Sequence, residues 1–344
     1  MTRRSRRFVW TAALVLLLAA LAGGYVCYRS YVAGQLTIAI NNWILARTAE
    51  GYRIDADIRP ESGGLSAVSQ RLSNVVVAAP GDLWMLRMNG LDISISPLNP
   101  FDVKFLSDGN TELTYTVADE IYILTSRLSA AGFSYDREGQ FTAAYLQQIK
   151  SRLDGPVRVD FDSLESSFRF ATAPPSANDD KSVEFIVRLE NATVSQSKPL
   201  PLGNLIEQFA LQAYATGKLR PGRPSVSLAA WRDDGGVIQI QQATAVWGPL
   251  AISAEGTLAL DTQMQPLFAG TAYAQGYNEA IDALAQAGYV ELGQVTAAKI
   301  ALAAMSKPAE DGRPPTARLP ITIQDGFLFV GPLKLAQMPR IVWQ

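Results

Sequence analysis

Leu250-Ala251-Ile252-Ser253-Ala254-Glu255-Gly256-Thr257-Leu258-Ala259-Leu260 is the stretch that decides the fold. Leu250, Ile252, Ala254, Gly256, Leu258 and Leu260 occupy six in-phase alternate positions. Side chains alternate between the two faces of a strand, so this segment predicts a strand with one face to bury. Trp247-Gly248-Pro249 precedes it and residues 261–266 follow, both short turn-like connections. Sequential strands joined this tightly form an antiparallel meander.

The same period extends in both directions. Upstream, Val183, Phe185, Val187 and Leu189 share one phase, then Phe209, Leu211, Ala213 and Ala215, then Ile238 and Ile240. Downstream, Ile321-Thr322-Ile323 and Phe327-Leu328-Phe329 flank Gln324-Asp325-Gly326 as a tight hairpin. Helices are expected at 277–287, stopping at Gly288, and at 292–305, with a polar loop at 307–316.

The first half reads the same way. Tyr52, Ile54, Ala56 and Ile58 alternate with Arg53, Asp55, Asp57 and Arg59, and further strands are expected at 71–79, 83–87, 91–96, 112–117, 120–126 and 157–161. Pro80-Gly81, Asn89-Gly90, Asn99-Pro100, Asp108-Gly109-Asn110 and Asp154-Gly155-Pro156 are the turn signals between them. Tyr145, Ile149 and Leu153 at fourfold spacing predict a short helix over 142–153. The Pro- and Asp-rich run 171–182 separates a β-rich region at 51–170 from a second at 183–344.

The amino terminus is of another kind. From Phe8 to Tyr28 there is no charge, and about 20 apolar residues suffice for a helix to span a bilayer core. Arg3, Arg4, Arg6 and Arg7 precede this run, and only Arg29 follows it closely, a bias that keeps residues 1–7 in the cytoplasm. The expected location is therefore the bacterial inner membrane, single-pass, with the bulk of the chain periplasmic. Trp10, Tyr25, Tyr28 and Tyr31 would mark the two interfaces. Ala20-Leu21-Ala22 resembles a signal-peptide cleavage site, so a cleaved leader is the competing reading. The apolar run continues past it to Tyr28, which favours an anchor spanning 8–28. Val32, Leu36, Ala39, Ile40, Trp43 and Arg47 then recur at helical spacing. They predict a juxtamembrane amphipathic helix over 29–50 that ends at Gly51 and packs on the sheet through Ile40 and Trp43.

Composition narrows the chemistry. The chain of 344 residues has no histidine, which removes Ser-His-Asp and Cys-His catalysis and most zinc sites. Its one cysteine, Cys27, falls in the apolar run, so no disulfide framework is available. Of 30 basic side chains, the four leading arginines and Arg29 lie in the first 29 residues, where acidic residues are absent; the remaining 25 face 32 acidic ones. An acidic body argues against nucleic acid. Asp179-Asp180 and Asp233-Asp234 are adjacent acids in polar turns, which read as solvated rather than catalytic. Ser195-Gln196-Ser197-Lys198 has the Ser-x-x-Lys spacing but reads as a strand end rather than as a serine–lysine nucleophile. No catalytic residue, cofactor or metal site is expected.

What remains is physical. Long alternating strands must bury one face, and few helices are available to cover them. Alternation reports burial and not what does the burying, so a closed β-sandwich and an open apolar trough both fit. Phe209, Leu211 and Ala213, then Ile252, Leu258 and Leu260, then Phe327 and Phe329 are the candidate trough positions.

Gly256-Thr257-Leu258-Ala259-Leu260-Asp261, Pro266, Gly270, Gly276-Tyr277 and Ile281-Asp282-Ala283-Leu284, with the closing run from Asp325 to Leu333, resemble one family. It is the uncharacterised alphaproteobacterial domain of unknown function twenty-one twenty-five. Its members likewise set one hydrophobic segment, and a Trp in the juxtamembrane helix (here Trp43), before a β-rich exported body. The Gly-x-Leu-x-Leu-Asp segment is also similar to repeats of AsmA-like envelope proteins, whose β-groove is associated with lipids. The resemblance implies no catalytic residues. The expectation is thus a mainly β protein: a transmembrane helix, then an extended or curved antiparallel sheet with a few short helices. It would be a non-enzyme that binds phospholipid or another envelope lipid along an apolar groove. The alternatives are a scaffold pairing with envelope proteins through exposed sheet edges, and a carboxylate-dependent envelope hydrolase.

Overall fold

The computed structural model describes residues 3–59, 63–117, 120–196, 199–220, 224–307, 315–331 and 333–341. One helix, α1 (Arg3–Ala49), opens the chain. Its described part is long and apolar enough to cross a membrane by length and composition, as a signal anchor or a signal sequence would be. Gly51, at φ 92°, stops it in a conformation that glycine adopts freely.

A single antiparallel sheet follows. Its strands are β1 (Arg53–Ile58), β2 (Val68–Ala78), β3 (Trp84–Ser96), β4 (Asn99–Val117), β5 (Glu120–Tyr135), β6 (Phe141–Asp154), β7 (Arg158–Phe170), β8 (Lys181–Ser195), β9 (Leu205–Thr216), β10 (Ile238–Trp247), β11 (Leu250–Leu260), β12 (Pro266–Gln275), β13 (Ser306–Lys307), β14 (Thr316–Gln324), β15 (Phe327–Val330) and β16 (Leu333–Gln337). Each pairs with its neighbour in sequence, except that β12 pairs with β14, and β13 adds only a short bridge to β14. Three more helices are inserted: α2 (Pro224–Asp233), α3 (Tyr277–Gln286) and α4 (Leu292–Ala304). The mainly β class read from the alternation is the observed one. The sheet does not close, and β1 and β16 are its two edges. Residues 171–180 form the expected loop, yet β7 and β8 pair across it, and the Ala171 amide donates to the Ser182 carbonyl at 2.9 Å.

The register keeps one face apolar across nearly the whole width. Val68, Ile95, Val103, Phe133, Ala144, Phe168, Phe185, Ala213, Ile240, Gly256, Gly270, Ile321 and Val330 form one cross-strand row from β2 to β15, with no polar side chain in it. A row on the reverse face runs Gln147, Glu165, Arg188, Ala210, Thr244, Ser253, Tyr273 and Arg318. Such two-sidedness is what an antiparallel sheet with one wet face shows.

Midway along the strands a line of bulges crosses the sheet. Asn74, Lys150 and Asn191 sit at φ near 50° in β2, β6 and β8, and register shifts interrupt β3 after Met88, β4 after Phe105 and β5 after Thr125. On β2, β3, β6 and β8 the phase of the covered face moves there by an odd step, so that Leu72 and Val75, Met88 and Leu91, Gln148 and Ser151, or Leu189 and Ala192 lie three apart on one face. Bulges also sharpen twist and bend a sheet.

Three expectations are corrected, two of them by this line. Residues 142–153 are not a helix but most of β6, and the break at Lys150 turns twofold alternation into a spacing that imitates a helix. Asn89-Gly90 and Asp108-Gly109-Asn110 are not turns; they are the irregular points of the long strands β3 and β4, which merge the shorter strands expected there. Trp43 does not pack on the sheet but is 51% exposed, and Ile44 takes that place beside buried Val32, Leu36 and Ile40.

Candidate functional site

The helices cover only the two flanks of the apolar face. On the amino-terminal flank, α1 lays Val32, Ala33, Leu36 and Ile40 against Val68, Leu72, Val75, Met88 and Ile93. Each large apolar side chain buried this way contributes about 1.5–3 kcal/mol. On the other flank, α3 and α4 sit over Ala272, Ala274, Ala317 and Leu319, where small side chains admit a close helix. Asp282 and Lys299 tie those two helices together at 2.6 Å, and the Tyr277 hydroxyl meets the Ser306 hydroxyl at 2.7 Å. Beside them α2, which the sequence reading missed, plugs Trp231 against Ala215 and Leu260. The Trp231 indole donates to the Thr216 carbonyl at 2.6 Å.

Between these covers the apolar face of β5 to β9 is open. Phe168, Phe170 and Phe209 stand 44%, 40% and 37% exposed, although their neighbours on that face are apolar. Leu146, Phe185, Val187 and Leu211 beside them are only half-buried. The accessible surface of the whole chain is 21549 Å², against about 13,700 Å² for a compact monomer of this mass. Both the projecting α1 and the uncovered sheet contribute to the excess. This uncovered stretch of one sheet face, bounded by helices at either flank, is the candidate trough.

The positions singled out from sequence divide accordingly. Phe209 and Leu211 lie on the open floor, whereas Ala213, on the same face, is fully buried. Ile252 and Leu260 share that face beneath α3/α4 and Trp231, and Leu258 joins Ile238 to Phe268 on it. Phe327 and Phe329 do not belong to the trough: Ile321 pairs with Val330 and Ile323 with Leu328, which puts the two phenylalanines on the reverse face. Their alternation with Leu328 was legible, but its phase depends on pairing. Arg3, Arg4, Arg6 and Arg7 begin α1, and their side chains lie outside the described residues.

An aromatic cluster escaped the sequence reading. Phe133 packs against Phe105 and Tyr135 at 5.3 and 5.2 Å between ring centroids, Tyr135 meets Phe141 at 5.9 Å, and Phe141 meets Phe170 at 5.5 Å. It lines one end of the trough. The alternation Phe133/Tyr135 and Phe168/Phe170 was its available signal. Glycines shape the floor elsewhere. Gly256 faces Gly270, and a side chain on either would strike the Phe268 ring that lies over both.

The reverse face has a polar hollow of about 490 Å³ bounded by Lys150, Arg152, Asp154, Asp160 and Asp162. Its carboxylates are engaged: Asp160 with Arg152 at 2.7 Å, Asp154 with Arg158 at 2.6 Å, and Asp162 accepting from Asn191 at 2.8 Å. The Asp160 carboxylate holds the Arg152 guanidinium above its ordinary pKa. Of the turn acids, Asp233 and Asp234 pair with Arg232 and Arg220, and Asp180 accepts from the Ser176 and Ala177 amides at 2.8 and 2.9 Å. Those bonds, the Ala177 amide foremost, hold the Asp180 carboxyl below its ordinary pKa.

The sequence pattern of one protein family, described as an uncharacterised protein conserved in bacteria (DUF2125), matches residues 30–339. The chain belongs to the DUF2125 family. The match begins just past the apolar run and takes in the packing half of α1, the whole sheet to β16, and all three inserted helices, so the DUF2125 unit is the trough with its covers. No curated protein and no solved structure matches this DUF2125 chain.

Proposed function

We propose that this DUF2125 chain is a non-enzymatic envelope protein that binds acyl chains of phospholipid or another envelope lipid in its open trough. In this reading α1 is an uncleaved anchor in the bacterial inner membrane, its amino terminus cytoplasmic, and the sheet is periplasmic. The observation that carries the proposal is the uncovered stretch of apolar face between the helical flanks, centred on Phe168, Phe185 and Leu211. An acyl chain leaving a bilayer for an apolar trough exchanges one hydrocarbon surrounding for another. The roughly 0.8 kcal/mol per CH₂ that water would exact is thereby avoided. Binding of this kind is reversible and suits transfer or organisation rather than storage. The engaged carboxylates of the reverse-face hollow support a role without catalysis. The edges give a scaffold little to use: β1 and β16 are six and five residues long, and β1 is studded with Arg53, Asp55 and Asp57.

The test is photo-crosslinking in membranes. Benzoylphenylalanine at Phe168 or Leu211 should capture lipid that mass spectrometry identifies, while at Ser167 or Gln212, on the reverse face, it should not. Equal capture on both faces, or none on either, would remove the reading.

A further inference from the structure

The strand connections at one end of the sheet carry apolar groups at or just beside their tips, and α1 leaves the sheet at that same end. Tyr25 donates its hydroxyl to the Leu65 carbonyl, and the Arg29 guanidinium donates to the Gly63 and Gly64 carbonyls at 3.2 and 3.1 Å. The last turn of the apolar run is therefore clamped to the segment that leads into β2. The preceding residues of α1, at 1.5 Å rise each, project about 33 Å beyond this point. The turn between β3 and β4, the turn between β5 and β6, and the loop after β7 all lie at this end of the meander.

Leu98 at the first of these tips is 81% exposed, and Leu65 beside the clamp is exposed too. Tyr135, Phe141 and Phe170, at the strand ends beside the next two, are about 40% exposed, and Phe141 is in ring contact with both of the others. These large apolar groups are left between 39% and 81% exposed, and exposed patches of this kind mark contact surfaces. Tyrosine and phenylalanine beside a helix that crosses a bilayer are the residue types of the membrane–water interface. Charge does not supply the attraction, because the body is acidic. The far end of the sheet also has exposed aliphatic tips, Leu83 and Ile121 among them, but it lies about 45 Å away along β3 and cannot meet the same surface.

We propose that Leu98, Tyr135, Phe141 and Phe170 seat this end of the sheet in the outer surface of the bilayer that α1 crosses, so that the mouth of the trough opens onto lipid rather than water. The partner is a lipid surface, held by apolar and aromatic insertion. The proposal rests on the membrane-anchored reading above and extends it with a route of entry.

The test uses the full chain carrying Cys27→Ser, reconstituted in vesicles of phosphatidylethanolamine and phosphatidylglycerol, with single spin labels. Labels at Leu98→Cys and Phe141→Cys should be relaxed by membrane-dissolved oxygen more than by a water-soluble nickel chelate. Labels at Leu83→Cys and Ile121→Cys should show the opposite ratio, and neither ratio should change in 0.5 M salt, a concentration at which screening extends only about 4 Å. Water-like ratios at both ends would overturn the seating, as would spin–spin broadening at 98 and 141 that shows a second copy covering the rim. Crosslinking at Leu211 distinguishes the two ideas. Lipid capture there with a water-exposed rim leaves the trough and ends the seating; a buried rim without capture does the reverse.

Discussion

Leu72 and Val75 lie three residues apart on β2, yet both are buried on the same face, beneath Leu36 and Ile40 of α1. Asn74 makes this arrangement by adopting φ 52°, and its amide reaches Asp57 at 2.8 Å. A β-branched residue pays heavily in that region of backbone space, about 1–2 kcal/mol. Asn74→Val should lower the urea midpoint of the chain accordingly. Asn74→Gly, which keeps the backbone freedom and loses only an exposed hydrogen bond, should give the smaller loss.

Trp231 is the plug of the carboxy-terminal flank. Removing its side chain leaves a cavity over Ala215 and Leu260, and Trp231→Ala should cost about 3–5 kcal/mol by denaturant unfolding. Trp231→Phe retains most of the packing and loses the indole bond to Thr216, a loss of about 1 kcal/mol. Gly236 lies flat against the indole, so Gly236→Ala should displace the plug, detectable as a red shift in Trp emission.

The glycine pair on the floor admits a third test. A Cβ on Gly256 would come within 2.5 Å of the Ala269 carbonyl oxygen and 2.7 Å of the Phe268 ring. Overpacking of this sort costs about 1–3 kcal/mol, so Gly256→Ala should lower the melting temperature. Substituting Ser253, on the reverse face of the same strand, should leave it nearly unchanged.

The loop between β7 and β8 is ordered by Asp180, whose folded pKa is depressed by its hydrogen bonds. A depressed carboxyl contributes its stabilisation in full above the unfolded pKa, near 3.9, and loses it as pH falls through the folded value. Amide exchange at Ser176 and Ala177, corrected for its intrinsic pH dependence, should lose protection only below about pH 4. Asp180→Asn should show the same loss of protection at neutral pH.

The β class and the later strands were legible because β11 and β12 pair over their full length without a register break, so twofold alternation runs unbroken from Leu250 to Leu260. The first half was less so. Where Asn74, Lys150 and Asn191 take positive φ, the inward face changes parity, and no single period describes the strand. Hence β6 imitated a helix, and Gly90 and Gly109 imitated turns. Trough membership of Phe209 and Leu211 followed from alternation alone, whereas that of Leu328 over Phe327 required knowing the partners of Ile321 and Ile323. The opening itself could not be read at all, since periodicity says nothing of where helices come to rest.

The order of pairing has a temporal meaning. Nearly every strand bonds to the one made just before it, and α1 supplies the first surface on which β1 and β2 can settle. A chain emerging amino terminus first, from a ribosome or a translocation pore, can therefore zip up progressively, each arriving segment finding its template already in place. β10 must wait until α2 has been threaded, and β14 until α3 and α4 have been and its template β12 can be reached. Growth of this kind keeps the unpaired stretch brief, which limits the time a greasy ribbon spends exposed to its own copies.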